Sequence, residues 1–282
     1  MTEVVLGAGG MLARALEKEL PEARHLRIEE CDITKPEDVA RAIAPGVAVV
    51  YNAAADTRVD LAETDPAHLA VNDVSVGTVA ARCREIGALL VHVSTDYVFD
   101  GRGTRPYRES DPVDPLNAYG RGKRAGEERA LASGAEVVIV RTSWLFGPGG
   151  PSFPAAILKQ AESGLKELRV VADQAGRPTA TTDLARAMRL LAGKGARGIV
   201  HFANSGETTW WEFAREVLIA GGHADVIVRP CTSAEFPRPA RRPTYSVLDT
   251  SLYERITLER PRPWRAAVAD FVAARAAAPR PA

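Results

Sequence analysis

Short apolar runs recur along the first 145 residues, each bounded by glycine, proline or charged residues. Runs of this kind are typical of strands that are buried on both faces of a parallel sheet. The predicted strands are EVVLG at 3–7, RHLRI at 24–28, VAVVYNAAA at 47–55, ALLVHVST at 88–95 and EVVIVRTSW at 136–144.

Segments with apolar residues at helical spacing separate these runs, at 10–23, 32–45, 66–86 and 117–133. Strand and helix therefore alternate, which predicts an α/β fold, a Rossmann-type doubly wound parallel sheet with right-handed crossovers. Ligands of such sheets bind beyond the carboxyl ends of the strands. We therefore look for functional residues directly after each predicted strand.

The regular alternation of strands and helices ends after Trp144, where FGPGGPSFP forms a loop rich in glycine and proline. Later segments read as strands at 168–173, 198–204 and 225–231 and as helices near 182–192, 208–222 and 262–277. We predict a dinucleotide-binding Rossmann domain over 1–146, completed by strands within 168–204. A smaller C-terminal substrate-binding lobe would comprise 147–167 and 205–282, with a frayed tail at the extreme C-terminus.

Composition and charge narrow the class of protein. The 282 residues are 46% apolar and 26% charged, with 36 basic and 36 acidic side chains and a formal net charge of zero. This balance is ordinary for a globular protein and gives no electrostatic reason to expect nucleic acid or a membrane as partner. No signal peptide and no apolar run of about 18 residues is read in the sequence, so we expect a cytoplasmic protein. The three cysteines, at 31, 83 and 231, have no metal-ligand spacing and read as reduced thiols.

The glycine turn GAGGMLA at 7–13 follows the first predicted strand and opens the first helix. Gly7 permits a tight turn, Gly10 allows the backbone to approach a pyrophosphate, and Ala13 is small enough for close packing of helix on strand. The turn therefore predicts dinucleotide binding. The end of the second strand should choose between NADH and NADPH, but Arg27, Glu29 and Glu30 crowd it and leave the choice open.

Tyr119 and Lys123 lie four residues apart and so share one face of the predicted helix. A lysine ammonium beside a phenol should lower the pKa of the phenol and make the tyrosine a proton donor near neutrality. The pattern is weak alone, but it follows the glycine turn and the Ser94-Thr95 pair in the order that one βαβ fold requires.

These motifs together resemble those of the extended short-chain dehydrogenase/reductase family, in particular its reductases of dTDP-linked 4-keto sugars. The resemblance extends along most of the chain. Its segments are GAGGMLA, DITKP, NAAADTRVDLAE, VHVSTDYVFDG, LNAYGRGKRAGE, RTSWLFG, DQAGRPT, HFANSGETTWWEFA and FPRPARRPTYSVLDT.

The resemblance implies reduction of the 4-keto group of dTDP-4-dehydro-L-rhamnose to dTDP-L-rhamnose with NADPH or NADH. The implied catalytic residues are Thr95, Tyr119 and Lys123, and the implied substrate contacts are Thr95, Asp96 and Trp144. The implied cofactor contacts, besides Tyr119 and Lys123, are Gly7, Gly10, Met11, Leu12, Asp32, Ile33, Ala53, Ala54 and Ala55. Arg242, beside Pro243, could hold the diphosphate or lie on a solvated basic loop.

The sequence departs from the resemblance at the magnesium site of homodimeric relatives. Ala15 stands where the first glutamate ligand is expected, and Thr182 and Asp183 stand near the others. We therefore expect no metal, and a monomer or a dimer that is not built on the magnesium-binding interface.

The same resemblance also includes three alternative functions. A dehydratase of this family would carry an acid-base Asp-Glu pair, and here Tyr97 follows Asp96 in place of the glutamate. An epimerase needs only the Tyr-Lys core and a sugar pocket. A non-catalytic NAD(P)-binding regulatory subunit is disfavoured by the intact Thr95, Tyr119 and Lys123. Trp144 could stack on the substrate or pack in the core, whereas packing is expected of Trp210, Trp211 and the core histidine His92.

Overall fold

A computed structural model describes residues 2–277, and the expected C-terminal tail lies outside them. The strands in chain order are β1 (Thr2–Leu6), β2 (Arg24–Leu26), β3 (Val47–Asn52), β4 (Leu89–Thr95), β5 (Glu136–Thr142), β6 (Leu145–Phe146), β7 (Glu167–Val171), β8 (Ala175–Gly176), β9 (Thr179–Ala180), β10 (Gly198–His201), β11 (Thr208–Thr209) and β12 (Ile227–Cys231). The helices are α1 (Met11–Glu19), α2 (Pro36–Ala42), α3 (Ser75–Ile86), α4 (Ala118–Ala132), α5 (Phe153–Glu162), α6 (Thr181–Gly193), α7 (Trp210–Ala220), α8 (Ser251–Thr257) and α9 (Trp264–Ala277).

A six-stranded sheet in the order β10-β5-β4-β3-β1-β2 forms the centre of the molecule. All five pairings in this sheet are parallel, so the predicted doubly wound α/β fold is confirmed. The strand order reverses between β1 and β3, which places a crevice at their carboxyl ends.

Two apolar layers cover the faces of this sheet. One contains α1, α6 and α8, with Leu16, Met188 and Tyr253 fully or nearly fully buried. The other contains α2 and α3, with Val39 and Val79 against the strands. Burial on both faces explains why the strands read as continuous apolar runs rather than alternating ones.

The later strands divide between the sheet and a second core. β10 pairs with β5 and completes the sheet, whereas β7 pairs with β12 outside it. Of the strands within 168–204 that were expected to complete the sheet, β10 lies in the sheet and β7 lies outside it. A separate aromatic core, with Phe146, Phe213 and Trp264 fully buried, lies beneath α5, α7 and α9.

Candidate active site

A cleft of about 960 Å³ opens at the carboxyl ends of β1, β3, β4 and β5. Its wall gathers side chains from both apolar layers and from the second core. Every predicted site residue except Arg242 lines it: Gly7, Gly10, Met11, Leu12, Asp32, Ile33, Ala53, Ala54, Ala55, Thr95, Asp96, Tyr119, Lys123 and Trp144. The structure thus brings residues from distant parts of the sequence into one site.

The glycine turn forms the floor of one end of the cleft. Gly7 has a φ of +87°, and a side-chain carbon placed there would lie 2.7 Å from the Ala54 Cα. Gly10 begins α1 without a side-chain cap, and the first turn of α1 carries no acidic residue. The missing Cβ at Gly7 lets the Ala54 backbone pack against the turn. The free amides of the helix end fit the pyrophosphate of a dinucleotide.

The end of β2 lies beside this turn. The three charged residues near it, Arg27, Glu29 and Glu30, left the choice between NADH and NADPH open in the sequence, but they have different surroundings in the structure. A side-chain carbon placed at Gly9 would lie 3.9 Å from a guanidinium nitrogen of Arg27. Arg27 and Glu29 line the cleft, whereas the Glu30 carboxylate accepts a hydrogen bond from the Arg27 backbone amide at 3.0 Å. Among residues 2–277, no carboxylate forms an ion pair with the Arg27 side chain. Arg27 therefore offers a cationic group at the end of β2, the place from which dinucleotide-binding folds of this class read the adenine ribose.

The polar run after β4 turns sharply into the cleft. Thr95 ends the strand and caps a single 3₁₀ turn at Asp96–Val98, where its hydroxyl accepts from the Tyr97 amide at 3.2 Å. The same hydroxyl donates to Asp96 Oδ1 at 3.0 Å. Asp96 is only 2% exposed, and burial raises the pKa of its carboxyl to about 7.

The start of α4 fixes Tyr119 opposite this turn. The Asn117 side chain accepts from the Gly120 amide at 2.8 Å and donates to the Arg241 carbonyl at 2.8 Å, so the first turn of the helix is capped and anchored. The Tyr119 ring meets the Tyr97 ring edge to face, with centroids 6.0 Å apart. Tyr119 faces Thr95, the residue at the carboxyl end of β4.

The expected effect of Lys123 on Tyr119 is wrong. Burial raises the pKa of the Tyr119 phenol above its ordinary value, the Asp96 charge raises it further, and Thr95 only partly offsets this. Lys123 is turned toward β4, where its Nζ donates to the Val93 carbonyl at 2.7 Å. Burial lowers the pKa of Lys123 to about 8. The helical spacing placed the two side chains on one face, but it gave no information about how deeply each is buried.

Trp144 lies at the far end of the cleft in a conformation that few non-glycine residues adopt, with a φ of +47°. Its indole stacks on that of Trp210, with ring centroids 3.6 Å apart and planes 10° from parallel. Trp210 also lines the cleft, a position that the sequence reading, which expected only packing, did not foresee. Arg242 lies outside the cleft wall, paired with Asp60 at 3.0 Å and 5.9 Å from the Tyr97 ring centroid.

Several buried polar atoms of the cleft wall have no hydrogen-bond partner among residues 2–277. These atoms are Ser94 Oγ, Asp96 Oδ2, Thr142 Oγ1 and Thr181 Oγ1. A buried polar atom without a partner is unfavourable, so such a group in a cleft marks a place where a polar ligand gains hydrogen bonds. Thr142 and Thr181 were not predicted. Thr142 pairs with Thr95 across β4 and β5, which the sequence could have suggested once strand order was known.

The residues considered for a magnesium site have other partners. Asp183 accepts hydrogen bonds from the Arg262 guanidinium and from the Asn204 amide. Ala15 is buried in the layer between α1 and α6. Over residues 2–277 no cluster of three or more His, Cys, Asp or Glu side chains is arranged to hold a metal ion. Within the same residues no helix is both long and apolar enough to cross a membrane.

This chain is similar to known proteins in both its sequence and its fold. The family model described as RmlD substrate binding domain matches residues 1–277. A dTDP-4-dehydrorhamnose reductase of Mycolicibacterium smegmatis is 42% identical over 280 residues, which cover 96% of this chain and 85% of that protein. A probable dTDP-4,6-dihydroxy-2-methyloxan-3-one 4-ketoreductase of Streptomyces antibioticus is 40% identical, over 96% and 94% of the two chains. The crystal structure of a Bacillus anthracis dTDP-4-dehydrorhamnose reductase in complex with NADP superposes with a TM-score of 0.90 at 30% identity, over 97% and 99% of the chains.

Proposed function

This chain belongs to the RmlD substrate binding domain family, and on that premise we propose that it is an NAD(P)H-dependent reductase of dTDP-4-dehydro-L-rhamnose. The product is dTDP-L-rhamnose, formed by reduction of the 4-keto group. One observation carries the proposal: Thr95, Asp96, Tyr119 and Lys123 share a single cleft with the glycine turn at Gly7. Proton-donating groups and a dinucleotide cradle in one cleft are what carbonyl reduction requires.

The protein's part in the reaction is to orient two reactants and to supply a proton. A bound nicotinamide would supply the hydride to C4 of the sugar. Tyr119 donates its phenolic proton to the oxygen that becomes an alkoxide, and the raised pKa of Tyr119 keeps this proton in place until charge develops. Thr95 would hold the carbonyl oxygen by turning its hydroxyl proton from Asp96 Oδ1 to the substrate, and Lys123 would hold the ribose of the cofactor. Asp96, with one oxygen unpartnered, accepts a sugar hydroxyl.

Cofactor binding and sugar-nucleotide binding are assigned to different parts of the chain. We assign cofactor binding to 1–146 together with β10, and sugar-nucleotide binding to the lobe of 147–167 and 205–282. Trp144 and Trp210 form the boundary between them and offer aromatic surface to a base or sugar. Arg242 pairs with Asp60 and lies against the ring of Tyr97, which lines the cleft, and its contact with the diphosphate stays a prediction.

NADPH is the cofactor that the cleft fits better. The Arg27 guanidinium lies beside the glycine turn without a carboxylate partner in the described residues, and an arginine at this place accommodates a 2′-phosphate. Wild-type protein should therefore show a higher kcat/KM with NADPH than with NADH. Equal values, or a preference for NADH, would contradict the role given to Arg27.

The setting of the reaction is proposed to be the cytoplasm, with the dTDP-sugar as the partner. A formal net charge of zero supports neither a nucleic acid nor a membrane as an additional partner. A monomer, or a dimer that does not use the magnesium-binding interface, is proposed because Ala15 is buried and Asp183 is paired with Arg262.

The test is NADPH consumption by the purified protein with 4-keto sugars linked to dTDP, UDP and GDP, with the product identified by mass and stereochemistry. We expect oxidation of NADPH with dTDP-4-dehydro-L-rhamnose. Tyr119→Phe should lower kcat by roughly 10²-fold or more, because it removes the proton donor, while NADPH binding stays nearly unchanged. Epimerised product without net NADPH consumption would favour the epimerase, and cofactor binding without any turnover would favour the regulatory subunit.

A further inference from the structure

A chain of buried polar side chains runs beneath the cleft from Lys123 to the Ala53–Ala55 segment. Lys123 Nζ lies 3.3 Å from His92 Nε2, and His92 Nδ1 lies 3.3 Å from Asn52 Nδ2. The Ala54 backbone amide donates to Asn52 Oδ1 at 3.2 Å. His92 and Asn52 are fully buried and Lys123 is 2% exposed, so no solvent can replace a missing partner.

The hydrogens in this chain can be placed by elimination. The Ala54 amide can only donate, so the side-chain oxygen of Asn52 must face it and the side-chain nitrogen of Asn52 must donate toward His92 Nδ1. His92 Nδ1 therefore accepts, and the single proton of the neutral imidazole lies on Nε2. That N–H points at Lys123 Nζ.

This arrangement suits a neutral amine and not an ammonium. A neutral Lys123 can donate to the Val93 carbonyl and accept from His92 with its lone pair. An ammonium has three donors and no lone pair, so its hydrogen would meet that of His92. A charged Lys123 is accommodated only if the His92 proton moves to Nδ1 and the hydrogen bond from Asn52 is given up.

The surrounding charges do not decide the state of Lys123 by themselves. Burial lowers the pKa of both Lys123 and His92. Glu127, one turn further along α4, favours the charged lysine, but its carboxylate is already bound by Arg141 of β5 through two hydrogen bonds of 2.9 and 2.6 Å. Tyr119, on the same face of α4, is held neutral by burial.

We propose that His92 is a positioning residue that couples the protonation of Lys123 to Asn52 and thereby to the cofactor-facing Ala53–Ala55 segment. A neutral Lys123 goes with a proton on His92 Nε2 and an intact bond between Asn52 and His92. A charged Lys123 goes with a proton on Nδ1 and a released Asn52. The inference rests on the proposed function in one respect, namely that Lys123 contacts the cofactor.

The experiment is nitrogen-15 NMR of the full-length protein labelled at its five histidines, titrated with and without NADP⁺. The His92 signals are assigned from their loss in His92→Gln. We expect the Nε2–H tautomer at high pH and a change to the Nδ1–H tautomer as Lys123 gains its proton. The change should be absent in Lys123→Met. A proton that stays on one nitrogen throughout, or an unaltered titration in Lys123→Met, would overturn the proposal.

Asn52→Asp tests the coupling from its other end. A carboxylate beside Nδ1 should fix the proton there at every pH and let Nε2 accept from the ammonium, so the Lys123 transition should move upward by about one pH unit or more. Asn72→Asp is the matched control. Asn72 is equally buried and bonds the Asp56 backbone rather than His92, so its variant should leave the His92 tautomer unchanged. Equal tautomers in Asn52→Asp and wild type at a pH above the wild-type Lys123 transition would contradict the coupling.

The readout separates this inference from the proposed function. Tautomers and NADP⁺ binding are measured without turnover, so an inactive protein with the expected His92 behaviour would remove the proposed reaction and keep the coupling. An active protein with a fixed His92 tautomer would do the reverse.

Discussion

Asp96 is a carboxyl group that is buried in the cleft wall with one oxygen lacking a partner. Its neighbour Thr95 donates to the other oxygen, but this does not offset the removal of the carboxylate from water. The protein therefore holds Asp96 in its neutral form more readily than an unfolded chain does. A group of this kind is kept at the expense of stability, which is common at sites selected for binding.

The pH dependence of folding should show this directly. The pKa of Asp96 is about 7 when folded and about 3.8 without the protein environment, so the unfolded chain ionises first as pH rises and the native state loses stability over that range. Asp96→Asn should consequently gain stability over wild type between pH 4 and 7, by about 1.4 kcal/mol per pH unit at most. Urea unfolding at pH 5 and 8 measures the difference. Asp100→Asn is the control with the opposite sign, because a hydrogen bond from Tyr107 lowers the pKa of Asp100.

Arg27 is the side chain that we expect to set the preference for NADPH over NADH. Arg27→Gln should weaken NADPH binding by about tenfold or more, the value of one lost charge-assisted hydrogen bond, and leave NADH binding nearly unchanged. Arg24→Gln is the matched control, because Arg24 lies on the same segment but donates to the Ala42 carbonyl away from the cleft. Affinities come from fluorescence titration of each cofactor. A parallel loss of both affinities in Arg27→Gln would mean that it does not read the 2′-phosphate.

At the level of elements, α4 forms a helix although its sequence is unfavourable for one. It contains three glycines, and glycine is a poor helix former. The packing explains two of them, because a side-chain carbon at Gly120 would collide with the Tyr97 carbonyl and one at Gly126 with the Asn72 carbonyl. The helix lies against backbone on both contacts, and this brings Tyr119 close to the Asp96–Val98 turn.

Replacing glycine by alanine should therefore have opposite effects at two helical sites. Gly120→Ala should destabilise the protein by about 1–3 kcal/mol, since overpacking outweighs the gain in helix propensity, and should lower kcat by displacing Tyr119. Gly193→Ala, at the end of α6 with open space around it, should be neutral or stabilise by up to about 1 kcal/mol. Thermal unfolding and kcat for both variants give the comparison. A stabilised Gly120→Ala variant would show that α4 can move away from Tyr97.

The elements that could be predicted are those marked by a local pattern of residues. The elements that were missed depend on residues far away in the sequence or are too short to show a pattern. The strands of the sheet and the residues that follow them, such as Thr95, were predictable because burial on both faces leaves an apolar run that ends abruptly. β8, β9 and β11 have two residues each, too few to show a period, and the pairing of β7 with β12 depends on a distant partner. The pKa of Tyr119 was misjudged because depth of burial is a property of the folded chain and not of spacing.

At the level of the whole molecule, two cores meet at the cleft. The layers on the sheet are built mainly from aliphatic residues, whereas the second core beneath α7 contains Phe146, Phe213 and Trp264. The stacked pair of Trp144 and Trp210 joins them, because Trp144 follows β5 of the sheet and Trp210 begins α7 of the lobe. Glycine at 176 makes room for this, since a side-chain carbon there would lie 2.5 Å from the Trp144 ring. This pair was not predicted, because it forms only when both parts are folded.

The stacked pair of Trp144 and Trp210 is expected to be part of the substrate site and not only a contact that holds the two parts together. Trp210→Ala should raise KM for the sugar nucleotide by about tenfold, the effect of one lost stacking surface, while the affinity for NADPH changes little. Trp211→Ala is the matched control on the same helix. Its indole donates to the Val228 carbonyl and does not line the cleft, so this variant should lose thermal stability and keep its KM. Steady-state kinetics and melting curves for both variants decide the matter, because a purely structural junction would make the two behave alike.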